Sequence, residues 1–107
     1  MSGSLPEKDW KYLRSIEAEL LSDLCVKINQ KAAQLLSTEF ESEHKKYLAL
    51  YKHIEASDKI VADCFNGWRR SDIVLKLLLI RKQKLLSAEM VANLSVETRE
   101  LLTKWPE

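Results

Sequence analysis

The sequence predicts an all-α protein, and three observations carry this prediction. The chain has 107 residues, of which 46% are hydrophobic and 31% charged, so we expect one domain with an apolar core. Its two glycines and two prolines are placed so that nothing breaks a helix between Glu7 and Asn66 or between Trp68 and Trp105. A β-protein of this length would need several tight turns rich in glycine, asparagine and proline. We therefore predict a single helical domain over residues 1–107.

The first predicted element is a long helix at about residues 6–37. Ser4, Pro6 and Glu7 stand at its beginning in an order typical of a helix start. From Trp10 onward, apolar residues recur every three or four positions, which is the spacing of one helix face. This face covers an arc of about 200°, which is wider than a helix with one neighbour needs. We therefore expect two surfaces to cover it.

A second long helix is predicted at about residues 40–66, antiparallel to the first. Thr38 and Glu41 have the spacing of a capping box, and Asn66 with Gly67 supplies a helix end. Its apolar face is formed by residues at helical spacing: Tyr47, Leu50, Tyr51, Ile54, Val61, Phe65 and Trp68.

Three shorter helices are predicted to form a cap over residues 71–105. We place them at about 73–84, 88–93 and 96–104. The hydroxyl or carboxylate groups expected to begin them belong to Ser71 or Asp72, to Ser87 and to Ser95. The first of the three is apolar nearly all round, so we expect it to be the buried centre of the cap.

Asp58 interrupts the apolar face of the second helix, between Ile54 and Val61. A carboxylate on a buried face must either be paired or have a raised pKa. Arg69 and Arg70 follow just after the turn, so we predict a structural ion pair at this corner. A functional carboxylate in a cleft and an exposed position at the edge of the face remain as alternatives.

The constellations that most enzymes need are missing from the sequence. His44 and His53 are nine residues apart, so on a helix they point to opposite sides and do not match a metal pair, and we expect both at the surface. Cys25 and Cys64 stand at the edges of apolar faces, where thiols are usually core fillers. Two glycines cannot build a phosphate-binding loop. We predict no enzymatic activity, no cofactor and no bound metal.

The leading functional prediction is a protein–protein interaction module that forms a homodimer through its two long helices. A tryptophan flanked by arginines has the composition of an interface hot spot, and it stands at the corner between the second and third helices. The predicted interaction residues are Asp58, Asp63, Trp68, Arg69, Arg70 and Asp72. The apolar runs, such as residues 77–80, are too short to span a membrane, and no leader is evident, so we expect a cytoplasmic protein.

The alternative prediction is a small nucleic-acid-binding regulator that uses residues 69–84. This segment contains six basic residues and a single acidic one, Asp72. The residues that follow resemble the opening of a helix-turn-helix, but their turn is too short and Glu97 and Glu100 would repel phosphate. The simpler interpretation is that basic residues near a helix end complement its dipole. A helical inhibitor of a larger enzyme is a third option.

Several stretches resemble known small proteins. Residues 47–58, 63–71, 85–90 and 94–99, together with Asp9-Trp10-Lys11, resemble a group of small bacterial proteins to which no activity is assigned. This resemblance implies a bacterial cytosolic origin and a single helical domain, and it assigns no residue a role. The helix order and the spacing from Ser71 to Leu85, Val91 and Leu94 are similar to those of the cyanobacterial fluorescence recovery proteins. Those proteins are helical dimers that bind another protein, which implies an adaptor.

Overall fold

Five helices make up the architecture in the computed structural model, which describes residues 5–105. They are α1 (Glu7–Ser37), α2 (Glu43–Phe65), α3 (Ile73–Lys82), α4 (Ala88–Ala92) and α5 (Val96–Lys104). Within the described residues there is no strand. The predicted all-α fold, with two long antiparallel helices and three shorter ones, is confirmed.

The loop between α1 and α2 differs from the prediction. Thr38 does not cap α2: its hydroxyl donates to the Gln34 carbonyl over 2.7 Å and closes the end of α1. Ser42 caps α2 instead, accepting from the Lys45 amide at 3.1 Å. The predicted capping box of Thr38 and Glu41 is therefore wrong, and α2 begins at Glu43 because the chain needs residues 38–42 to reverse direction.

The remaining helix ends follow the sequence more closely. Gly67 has a φ of 66°, the left-handed conformation expected of the residue that ends α2. Ser87 and Ser95 cap α4 and α5 with their side chains, as predicted. Asp72 occupies the N-cap position of α3 without a side-chain hydrogen bond to the helix. α3 ends two residues earlier than predicted, and Lys84 turns the chain with a φ of 60°.

Two apolar clusters form the core, and both lie at one end of the long helices. The first joins the middle of α1 to the end of α2 and to the cap: Leu20, Leu24, Cys64, Phe65, Ile80, Leu85 and Met90. The second joins the start of α1 to α3 and α5: Leu13, Ile73, Leu77, Leu94 and Leu102. α3 contributes to both clusters but leaves Leu75 exposed, so it is central without being buried all round.

The molecule is elongated, with extents of 52 × 24 × 24 Å. Its radius of gyration is 16.6 Å, whereas a compact chain of this length would have about 13 Å. The elongation comes from residues 25–56, the half of the α1–α2 hairpin that lies away from the core, in which no residue is buried. We call this segment the arm and the remaining described residues the head.

Candidate interaction surfaces

Trp68, the centre of the predicted interaction corner, belongs largely to the core. Its indole Nε1 donates to the Cys64 carbonyl at 2.7 Å, and its ring stacks on Phe65 with centroids 6.1 Å apart. It also packs against both apolar clusters. The side chain is half-buried and its single donor is satisfied. Its geometry therefore fixes the α2–α3 turn and leaves little of the ring for a partner.

Arg70 lies beside Trp10 and not beside Trp68, which is two positions before it in the sequence. Its guanidinium forms a two-point ion pair with Glu7, with one N–O distance of 2.9 Å, and its Cζ lies 5.4 Å from the Trp10 ring centroid. Arg14 approaches the same ring at 5.7 Å. Trp10 is half-buried. The sequence predicts a tryptophan flanked by arginines at Trp68. In the structure, the tryptophan with two arginines beside it is Trp10, because α1 contributes Arg14 and the α2–α3 turn contributes Arg70.

The predicted ion pair of Asp58 with Arg69 or Arg70 is wrong. Asp58 is exposed and forms no ion pair with any described residue, while Arg70 is held by Glu7 some distance away. The reason is that Asp58 lies two helical turns before the corner, on the arm side of the core. Its carboxylate borders a shallow cavity of about 110 Å³ lined otherwise by Ile28, Ile54, Ser57 and Val61.

The other predicted corner residues lie at the surface. Asp63, Arg69 and Asp72 are exposed. Their backbones take part in the turn: the Lys76 ammonium donates to the Asp63 carbonyl at 2.7 Å, and the Asp72 amide donates to the Arg69 carbonyl at 3.0 Å. The corner therefore presents charges around a core tryptophan.

Basic residues of segment 69–84 serve as caps for helix C-termini. Lys76 caps α2 through Asp63, and Arg81 donates to the Leu102 carbonyl near the end of α5. Lys27 does the same for α3, donating to the Gln83 carbonyl at 2.8 Å. Helix C-termini carry a partial negative charge, so these contacts place cations where they are favourable. The sequence predicts that basic residues of α3 complement its own dipole, and Arg81 and Lys82 do lie in its last turn. The structure adds that Lys76 and Arg81 also reach the C-terminal carbonyls of other helices.

The two histidines differ in environment. His44 is exposed and stacks on Tyr47 with centroids 6.3 Å apart. His53 is half-buried between the long helices: its Nε2–H donates to the Ile28 carbonyl at 2.9 Å, and Nδ1 lies 3.4 Å from the Ser57 hydroxyl. The prediction of a surface position is thus wrong for His53, which links α1 to α2 and carries no free reactive nitrogen.

Cys64 is buried, as predicted, and Cys25 is half-buried. Burial raises the pKa of the Cys64 thiol, and the neighbouring Asp63 charge adds to the effect while Lys76 opposes it. A thiol with a raised pKa is a poor nucleophile at neutral pH. Among the described residues, no group of His, Cys, Asp or Glu side chains has the arrangement of a metal site.

The arm carries the largest collection of exposed apolar side chains. They come from both of its helices: Val26 and Leu36 from α1, and Tyr47, Leu48, Tyr51 and Ile54 from α2. The spacing of apolar residues identifies the α2 stripe, but it does not distinguish the part that the head covers from the part left open. The two parts can be distinguished only when the position of the cap is known, because the cap covers only the last two turns of the stripe.

None of the described helices is both long enough and apolar enough to cross a membrane. No protein-family model matches the chain, and no significant match is found among curated proteins or solved structures. The resemblances drawn from the sequence remain predictions.

Proposed function

We propose that the chain is a non-enzymatic helical interaction module that acts as a homodimer, with two copies pairing through their arms. The observation that carries the proposal is the arm itself, which exposes Tyr47, Tyr51 and Ile54 and buries no residue. Helices gain most of their stability from packing an apolar face, so an arm of this kind is stabilised by a second apolar surface. Exposed apolar patches of this extent mark interaction sites.

The amount of exposed surface supports a partner of substantial size. The folded chain exposes 7225 Å², whereas a compact monomer of 12.4 kDa would expose about 6100 Å². The difference of about 1100 Å² is comparable with the roughly 800 Å² that each partner contributes to a standard interface.

The charge of the arm suits a second copy of the same chain. Residues 25–56 contain five lysines and four glutamates, so two arms do not repel each other strongly. Two of the lysines are paired within the arm, Lys45 with Glu41 and Lys46 with Glu43. Pairing through the arms does not require Trp10, Arg14 and Arg70 of the head, which stay available to another protein. This arrangement suits an adaptor, and we place it in the cytoplasm because both cysteines are free thiols.

The alternative of a nucleic-acid-binding regulator has less support. Arg70, Lys76 and Arg81 are engaged with Glu7 or with helix carbonyls, which leaves Arg69, Lys82 and Lys84 of the basic segment exposed. Three exposed cations make a weak phosphate-binding patch, because Trp68, the ring predicted to stack on a base, packs against the core.

The proposal is tested by light scattering after size exclusion, over a concentration series. We expect a mass of twice 12.4 kDa for the wild type. Changing Tyr51→Glu and Ile54→Glu together places charges in the apolar contact, so we expect a monomer that retains the helical circular dichroism signal. Lys52→Glu, on an exposed position between them, is the matched control and should remain dimeric. A wild type that is monomeric at every concentration would contradict the proposal.

A further inference from the structure

One stripe of α2 follows the spacing of a coiled-coil seam over its whole length. Its residues are separated alternately by three and four positions: His44, Tyr47, Tyr51, Ile54, Asp58, Val61 and Phe65. The head covers the end of this seam, where Phe65 is 9% exposed. The beginning is open, with exposed fractions of 60% at Tyr47, 54% at Tyr51 and 46% at Ile54.

The head stands over the covered end of the seam and restricts how a second seam can approach. Phe65 packs in one cluster with Ile80, Leu85 and Met90, so the cap rises above the seam at that end. Two copies aligned in parallel would bring both caps to the same end, where they would compete for the same space. In an antiparallel pair, each cap lies beside the tip of the other arm and the open parts of the two seams face each other.

Asp58 is the one acidic member of the seam, and its position is related by symmetry to His44. Asp58 follows Tyr51 by seven residues and His44 precedes it by seven, about 10 Å in either direction along the helix. A two-fold axis near Tyr51 therefore places Asp58 opposite the partner's His44, with the partner's Tyr47 one turn away. Ring N–H and hydroxyl groups are donors that a carboxylate accepts.

We infer that two copies pair antiparallel along the open part of the α2 seam, about a two-fold axis near Tyr51, with Asp58 of each copy bound by His44 of the partner subunit. This inference rests on the proposed homodimer and adds its geometry. It gives the exposed Asp58 a partner that none of the described residues of its own chain provides. A polar pair at a seam position also fixes the register, because a slipped pairing leaves the carboxylate against apolar side chains.

Disulfide trapping tests the geometry. Three single substitutions, His44→Cys, Tyr51→Cys and Asp58→Cys, are made in a Cys25→Ala background, while the buried Cys64 is retained. Under oxidation, we expect Tyr51→Cys to link to itself. His44→Cys and Asp58→Cys should each fail to link alone, because equivalent positions lie about 20 Å apart along the helices. A pre-equilibrated mixture of these two variants should link.

Three other outcomes would overturn the inferred antiparallel geometry. Self-linking of all three variants means a parallel pair, and a dimer that links at none of these positions means another surface; either result overturns the inference and leaves the homodimer standing. A chain that forms no link and has the mass of a monomer overturns both.

A charge exchange tests the contact between Asp58 and His44 independently. Asp58→Lys should weaken dimerisation roughly three- to tenfold, because it sets two donors against each other. Adding His44→Glu should restore the affinity. Within one copy the two residues are fourteen positions apart, about 21 Å along the helix, so the restoration requires contact between copies. A double variant that dimerises no better than Asp58→Lys would overturn the assigned contact.

Discussion

At the scale of the residue, Asp9 is the one charged side chain that is buried among the described residues. Its carboxylate is fully buried in the head, and it accepts hydrogen bonds from the Ser95 amide at 2.9 Å, the Ser95 hydroxyl at 2.6 Å and the Thr98 hydroxyl. Burial acts to raise the pKa of Asp9, but the hydrogen bonds from Ser95 and Thr98 outweigh it and hold the pKa below the usual 3.8. The first helix is thereby joined to the start of α5.

Replacing this carboxylate should reveal its contribution to stability. Asp9→Asn keeps the shape but loses the charge-assisted hydrogen bonds, so we expect the free energy of unfolding to fall by about 1–3 kcal/mol at pH 7. A carboxylate with a lowered pKa stabilises the fold above its unfolded-state pKa and loses that effect as the pH falls through the folded-state value. The difference in the free energy of unfolding between wild type and variant should therefore become smaller below about pH 3.8.

Urea titrations followed by circular dichroism at pH 7 and near pH 3 measure this difference. Asp23→Asn, at an exposed position of the same helix, is the control and should change little. An Asp9→Asn variant as stable as the control at pH 7 would contradict the expectation. Nothing in the sequence identifies Asp9, because Ser95 and Thr98 lie 86 and 89 positions away and contact it only after α5 has folded onto α1.

At the scale of the element, helix ends show what local sequence can determine. Ser87 and Ser95 are predicted as caps and confirmed, because each is followed at once by a helix that needs a hydroxyl at that point. Thr38 carries the same signal, yet its hydroxyl binds backward to Gln34. A capping hydroxyl can serve the helix before it or the helix after it, and the path of the connecting loop decides between them.

The end of α3 leads to a prediction of its own. Lys84 adopts a φ of 60°, in which a side chain is strained, and its carbonyl accepts from the Lys27 ammonium at 3.3 Å. Lys84→Gly should therefore raise the free energy of unfolding by about 1 kcal/mol. Lys82→Gly, two residues earlier and still within α3, should lower it by a similar amount. Urea unfolding of both variants measures the two changes in the free energy of unfolding, which should have opposite signs. A loss of stability in Lys84→Gly would contradict the prediction.

At the scale of the whole molecule, the fold class is evident from the sequence and the elongated shape is not. The scarcity of glycine and proline permits the long helices, and the spacing of apolar residues gives their faces. The wide face of α1 indicates two covering surfaces, but spacing alone does not say where the cap lies along it. The structure places the cap over the head only, so among the described residues no second surface covers α1 along the arm.

Hydrogen exchange tests this division between head and arm. A segment with no buried residue opens locally at low cost, so amides of residues 25–56 should exchange rapidly when the protein is dilute. Dimerisation should slow their exchange as the concentration rises, by mass action, while amides of the head core near Leu20 and Leu77 stay equally protected. Mass spectrometry of deuterium uptake at two concentrations measures both. Arm protection that is independent of concentration would contradict the prediction.

The bond between Asp9 and the start of α5 also has a consequence for the order of folding. Contacts that join the two ends of a chain close the largest loop and carry the largest entropy cost, so they form late. Contacts between α1 and α2 close a smaller loop, so we expect them to form before those with α5. The head is completed only when α5 reaches Asp9, so a growing chain exposes its arm before it possesses a finished head.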